Sequence, residues 1–152
     1  MYKTLCVAVL LLPTFGLAQA PKATTPFSSP LIVAKAKLVN QTAAIPATTI
    51  FTPTQSGLYR LSLYMTVSKA DAKSATSRDF YLTWTDDAGA ENSLALMLIF
   101  DNQTPPQAFG GILPPVISFE AAAGTPISYS VFQNGDSDAA AYSLYYTLER
   151  LE

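Results

Sequence analysis

Four acidic side chains are the groups in this sequence best placed, by type, to do chemistry: Asp86, Asp87, Glu91 and Asp101. Two carboxylates held about 5 to 10 Å apart can hydrolyse a glycosidic bond, one as acid and the other as base or nucleophile. These four, however, fall in turn-rich stretches. Asp is favoured there for another reason, since its side chain bonds its own backbone. Turn chemistry is the preferred reading, and hydrolysis is the alternative.

A second constellation is Asn134, Asp136 and Asp138 in the run NGDSD. Alternating oxygen side chains in one loop are what calcium takes. The match to a twelve-residue calcium loop fails, because its last position falls on Tyr145. Asn-Gly is also a strong hairpin signal in its own right. Calcium on Asn134, Asp136 and Asp138 therefore stays open beside a plain turn, and no other cofactor is expected.

The rest of the catalytic repertoire is thin. The chain has no histidine, and its one cysteine is Cys6. Zinc lacks its usual ligands. A nucleophilic Ser or Thr needs an activating base, and neither a His nor a Ser-x-x-Lys run supplies one. Asn40-Gln41-Thr42 and Asn102-Gln103-Thr104 are glycan acceptor triplets, although such triplets arise often by chance. The expected protein is not an enzyme.

The leader sets the compartment. Lys3 precedes the apolar run Leu5 to Leu12, and small residues follow Pro13. This is the pattern of a secretory signal peptide, and the run is too short to span a bilayer. Gly16 and Ala18 favour cleavage after Ala18, which assigns residues 1–18 to the signal and leaves Cys6 behind. The expected location is secreted, either periplasmic or extracellular, with no membrane span after cleavage. Residues 19–30 (QAPKATTPFSSP) read as a flexible lead-in.

Residues 31–152 read as one domain. Charged residues are 13% of the chain, against about 25% in ordinary soluble proteins. Net charge is −2 with no basic run, which argues against a nucleic-acid partner. With no disulfide to staple it, the domain must rely on apolar burial, helped by any self-association.

Alternation supplies the elements. Tyr59, Leu61, Leu63, Met65 and Val67 fall on one face of Leu58 to Ser68, the period-two mark of a half-buried strand. Further strands are expected at Leu31 to Val39, Thr48 to Thr52, around Phe80 to Thr85, Val116 to Glu120, Pro126 to Gln133 and Ala140 to Leu151. Leu94 to Phe100 (LALMLIF) is continuously apolar, which predicts a strand covered on both faces. About eight strands and no long amphipathic helix predict an all-β antiparallel sandwich or barrel.

Three passages carry a family resemblance. Thr49 to Val67 (TIFTPTQSGLYRLSLYMTV), Gly124 to Val131 (GTPISYSV) and the closing Leu144 to Leu151 resemble, in pattern and order, the globular domains of complement C1q and tumour necrosis factor. The chain also resembles exported bacterial or phage-associated domains that carry Gly-Leu-Tyr-Arg and Thr-Trp-Thr-Asp passages. The resemblance implies a jelly roll of eight to ten strands, assembly as a homotrimer and ligand binding through surface loops. No collagen-like stalk accompanies it, and no set of ligand-binding residues carries over.

The pattern of side chains points to assembly independently. Leu58 and Tyr64 lie opposite the apolar face of their strand, and Tyr145 and Leu151 lie opposite that of the last strand. If the two strands are neighbours, Leu58, Tyr64, Tyr145 and Leu151 form an outward patch that association would bury at about 25 cal/mol per Å². The leading expectation is thus a non-enzymatic exported domain for binding or structural assembly, working by self-association and through a protein or glycan ligand. The alternative is a carbohydrate-binding sandwich that stacks sugars on Trp84 or on exposed tyrosines.

Overall fold

The computed structural model describes residues 29–73, 76–102, 116–135 and 139–152, with the side chain of Met97 left aside. Residues 1–18, expected to be a signal segment, most of the expected lead-in, Asp136 and Asp138 lie outside the described residues. Eight strands are present among those described: β1 (Leu31–Gln41), β2 (Ile45–Phe51), β3 (Gly57–Lys69), β4 (Ser77–Thr85), β5 (Glu91–Phe100), β6 (Val116–Ala121), β7 (Ile127–Asn134) and β8 (Ala141–Arg150). No helix among the described residues is long and apolar enough to cross a membrane.

The strands form two antiparallel sheets, ordered β1-β8-β3-β6 and β2-β7-β4-β5. The chain passes from one sheet to the other at nearly every connection, and β4 and β5 are joined as a hairpin within the second. This order is the eight-stranded jelly roll. The expected sandwich and its strand positions are therefore present; β2, β4 and β5 begin about three residues earlier than expected, β7 is shifted by one residue, and β8 is one residue shorter at each end.

Alternation explains the core. Tyr59, Leu61, Leu63, Met65 and Val67 of β3 are buried, as are Tyr142, Leu144 and Leu148 of β8. They pack against Phe80 and Leu82 of β4, Leu96 and Ile99 of β5, and Ile127, Tyr129 and Val131 of β7. Each such side chain stabilises the fold by about 1.5–3 kcal/mol relative to exposure. That burial stands in for the disulfides the domain lacks.

The apolar run in β5 needs a correction. It is an edge strand, and only one of its faces is covered. A bulge at Leu96, where β4 partners jump from Ala95 to Met97, lets both Leu96 and Ile99, of opposite parity, reach the core. Beyond the bulge, Phe100 is left exposed. The extra residue changes the parity, which makes a half-covered strand read as an unbroken apolar run.

The turns at one end of the sandwich are tied together. Gly124 N–H donates to the Pro53 carbonyl at 2.8 Å, and Ala122 N–H to that of Thr85 at 2.9 Å. Gly124 sits at φ +77°, in the left-handed region. Gly124→Ala should cost about 1–2 kcal/mol through that backbone alone, although its Cβ would meet open space. A drop in the urea midpoint with an unchanged slope would show it.

Candidate functional site

The outer face of the β1-β8-β3-β6 sheet carries the largest concentration of unusual surface. Register places Lys35, Thr147, Ser62 and Val116 in one row across four strands. Lys37, Tyr145 and Tyr64 form the next row. Side chains in such rows touch because opposed Cβ atoms lie about 5 Å apart. The Tyr64 and Tyr145 rings are 5.9 Å apart at 38°, and Lys37 Nζ stands 5.9 Å from the Tyr145 centroid. Together these residues line an open depression of about 640 Å³.

Leu58 and Leu151 lie at the other end of this face. Both are half-buried, and Leu151 N–H donates to the Leu58 carbonyl at 2.8 Å. Between them and the tyrosines runs a polar band. Arg60 and Glu149 pair at 2.7 Å there, and Ser62 faces Thr147. Leu58, Tyr64, Tyr145 and Leu151 thus share one face but form two clusters, because the intervening outward positions of β3 and β8 are polar.

Charge on this face is only partly matched. Arg60 and Glu149 satisfy one another. Among the described residues, Lys35 and Lys37 have no carboxylate within 4.0 Å, and Glu120 has no cation within that distance. Glu120 sits opposite Leu58 on β6, the far edge of the sheet from β1. Apolar side chains are also concentrated here. Of the seven large hydrophobic residues exposed among those described, Leu31, Ile32, Val39, Tyr64 and Val116 belong to this sheet.

The acidic residues do not converge. Asp86, Asp87 and Glu91 lie at the β4–β5 turn, whereas Asp101 follows the end of β5. The length of β4 separates the two ends, about 26 Å at strand rise. Asp86 accepts from Ala90 N–H at 2.8 Å and from Asn92 Nδ2 at 3.3 Å. The Ala90 N–H bond leads in holding its carboxyl below the usual range. That is the chemistry of a turn.

Asp101 has a different task, and its partner went unrecognised in the sequence. Arg78 and Asp101 are both fully buried and paired at 3.1 Å. Arg78 also donates to Gln133 Oε1 and to the Thr42 carbonyl at 3.5 Å, and it stands 5.4 Å from the Tyr142 ring. Burial pushes the Asp101 carboxyl up, and Arg78 pulls against that. The signal was present in the alternation: Arg78 shares the inward parity of Phe80 and Leu82, where a cation must find a partner.

Tyr142 closes this cluster, donating its hydroxyl to the Ala43 carbonyl at 2.9 Å. Burial pushes its phenol up to about 12, against a smaller opposing pull from Arg78. The unfolded chain therefore releases this proton from about pH 10, while the folded protein holds it to about 12. Stability falls as pH rises through that window. Urea midpoints at pH 8 and 11 should differ more in the wild type than in Tyr142→Phe, the remaining difference coming from Tyr59, Tyr129 and Tyr146, whose phenols burial also raises.

The other expected site residues are placed as follows. Asn134 Nδ2 donates to Asp79 Oδ2 at 2.7 Å and to Ser77 Oγ at 3.2 Å. No cluster of three metal-binding side chains of the His, Cys, Asp or Glu type occurs among the described residues. Trp84 is half-buried with its ring 4.8 Å from that of Phe119, packed against the core. Asn40, of the first acceptor triplet, sits at φ +53° where β1 loses register with β8.

No protein-family model matches this chain, and no curated protein does. Among solved structures it is similar to the CBM22-1-GH10 modules of the Clostridium thermocellum N-terminal endo-1,4-beta-D-xylanase 10B, complexed with xylohexaose. The identity is 11% and the TM-score 0.32, over 80% of this chain and 25% of that one. The chain therefore spans about a quarter of that protein's length.

Proposed function

We propose that this chain is an exported, non-enzymatic jelly roll of the C1q/tumour-necrosis-factor type that assembles as a homotrimer and presents its loops to a protein or glycan ligand. One observation carries the reading: exposed large hydrophobic side chains gather on the β1-β8-β3-β6 sheet, with Tyr64 and Val116 beside Tyr145 in its depression. Covering such a face with copies of itself removes apolar surface from water. The contact is made by Leu58, Tyr64, Tyr145 and Leu151 with the side chains between them. Light scattering on residues 19–152 should give three times the protomer mass at micromolar concentration. A single protomer mass would remove the reading.

Glycan binding remains the second reading, and one observation on the other sheet favours it. Phe132 is 54% exposed, and its ring stands 5.2 Å from Tyr81 at 87°. Ser130 and Asp79 occupy neighbouring register positions. An aromatic surface beside hydroxyl and carboxylate groups suits a sugar ring. A glycan-array signal that Phe132→Ala abolishes, with the fold intact, would support it.

A further inference from the structure

The unmatched charges on the assembly face say how the copies meet. Lys35 and Lys37 alternate outward on the edge strand β1, about 6.6 Å apart along it. They rim a depression lined by Leu63, Tyr64, Val116 and Tyr145. Glu120 projects from the opposite edge, in register with Leu58, which on its other side accepts from Leu151 N–H. Three strand spacings separate β1 from β6, about 14 Å. Glu120 also lies six residues along the strand from the Tyr64 row, about 20 Å at strand rise. A protomer cannot pair its own Glu120 with its own lysines.

We propose that the depression receives a second copy of this chain: the Leu58–Leu151–Glu120 corner of one protomer seats over Tyr64 and Tyr145 of the next, with Glu120 between Lys35 and Lys37. This rests on the trimer reading above and specifies its contact. The two clusters on the face are then two halves of one junction, an apolar corner with an acid and an apolar depression with two cations. Where each copy offers its corner to one neighbour and its depression to the other, the contact is heterologous and closes into a ring when the rotation allows. Burying the lysines without a partner would be strongly unfavourable, so the neighbour's carboxylate is what makes the face buriable. The Arg60–Glu149 pair is already matched and serves as a neutral spacer.

Charge reversal tests the junction. Lys35→Glu/Lys37→Glu and Glu120→Lys alter exposed side chains, so each variant should keep the wild-type circular dichroism spectrum. Each should need about tenfold or more protein to assemble, by sedimentation, because close charge pairs couple by more than about 1.4 kcal/mol. The triple variant, with the charges exchanged, should regain most of the wild-type assembly. Reversed variants that assemble like the wild type would overturn the junction, as would a triple variant no better than the double and the single. A wild type that is itself a monomer would instead remove the trimer, so the two failures are separate.

Discussion

Arg78→Met should destabilise the domain by about 3–5 kcal/mol, a large share of the 5–15 kcal/mol that holds a domain of this kind together. The cause is the group left behind. Asp101 is fully buried and has Arg78 as its ion-pair partner. Without the guanidinium its carboxylate must be protonated or drag water into the sandwich. Gln133 and the Thr42 carbonyl lose a donor at the same time. Asp101→Asn should cost a comparable amount, because it leaves the Arg78 guanidinium buried without a counter-ion and that group cannot shed its proton. Replacing both partners, as Arg78→Met/Asp101→Leu, should recover much of the loss, since a buried pair is often no better than apolar side chains of similar volume. Urea midpoints of the four proteins check the order.

Phe80→Ala should cost a comparable amount, about 3–5 kcal/mol. Phe80 is fully buried on β4, the strand between β7 and β5, and its ring lies 5.4 Å from Tyr129 at an interplanar angle of 10°. Truncation removes the transfer energy of the ring and leaves a cavity that two rigid sheets cannot collapse around. The same substitution at Tyr64 should behave differently. Tyr64 is 51% exposed, so Tyr64→Ala should leave the protomer's stability within about 0.5 kcal/mol while weakening assembly. Measuring unfolding and protomer mass on both variants separates a core ring from a contact ring.

Much of the fold was legible because strand alternation is a local signal. The inward set of β3 and the inward set of β8 can be read residue by residue, and so can the outward Tyr64 and Tyr145. That these two lie side by side follows from the pairing of β3 with β8, which the resemblance implied and periodicity alone does not contain. Alternation misled at β5, where one bulged residue reversed the parity. It also under-reported Arg78, a cation whose parity matches that of Phe80 and Leu82. Its partner Asp101 comes 23 residues later, and only sheet registry brings the two together. The separation of Asp101 from Asp86 by the length of β4 was likewise hidden, because a list of acidic residues carries no information about the ends of a hairpin. The division of the outer face into two charged clusters appeared only when four strands were laid in register.

Oxidative footprinting of the native protein tests most directly whether the β1-β8-β3-β6 face is covered by neighbouring copies. At micromolar concentration Tyr64 and Tyr145 should be protected while Phe132, on the other sheet, is labelled freely, and dilution below the assembly threshold should expose both tyrosines. Tyr64 labelled as readily as Phe132 at every concentration would contradict the account.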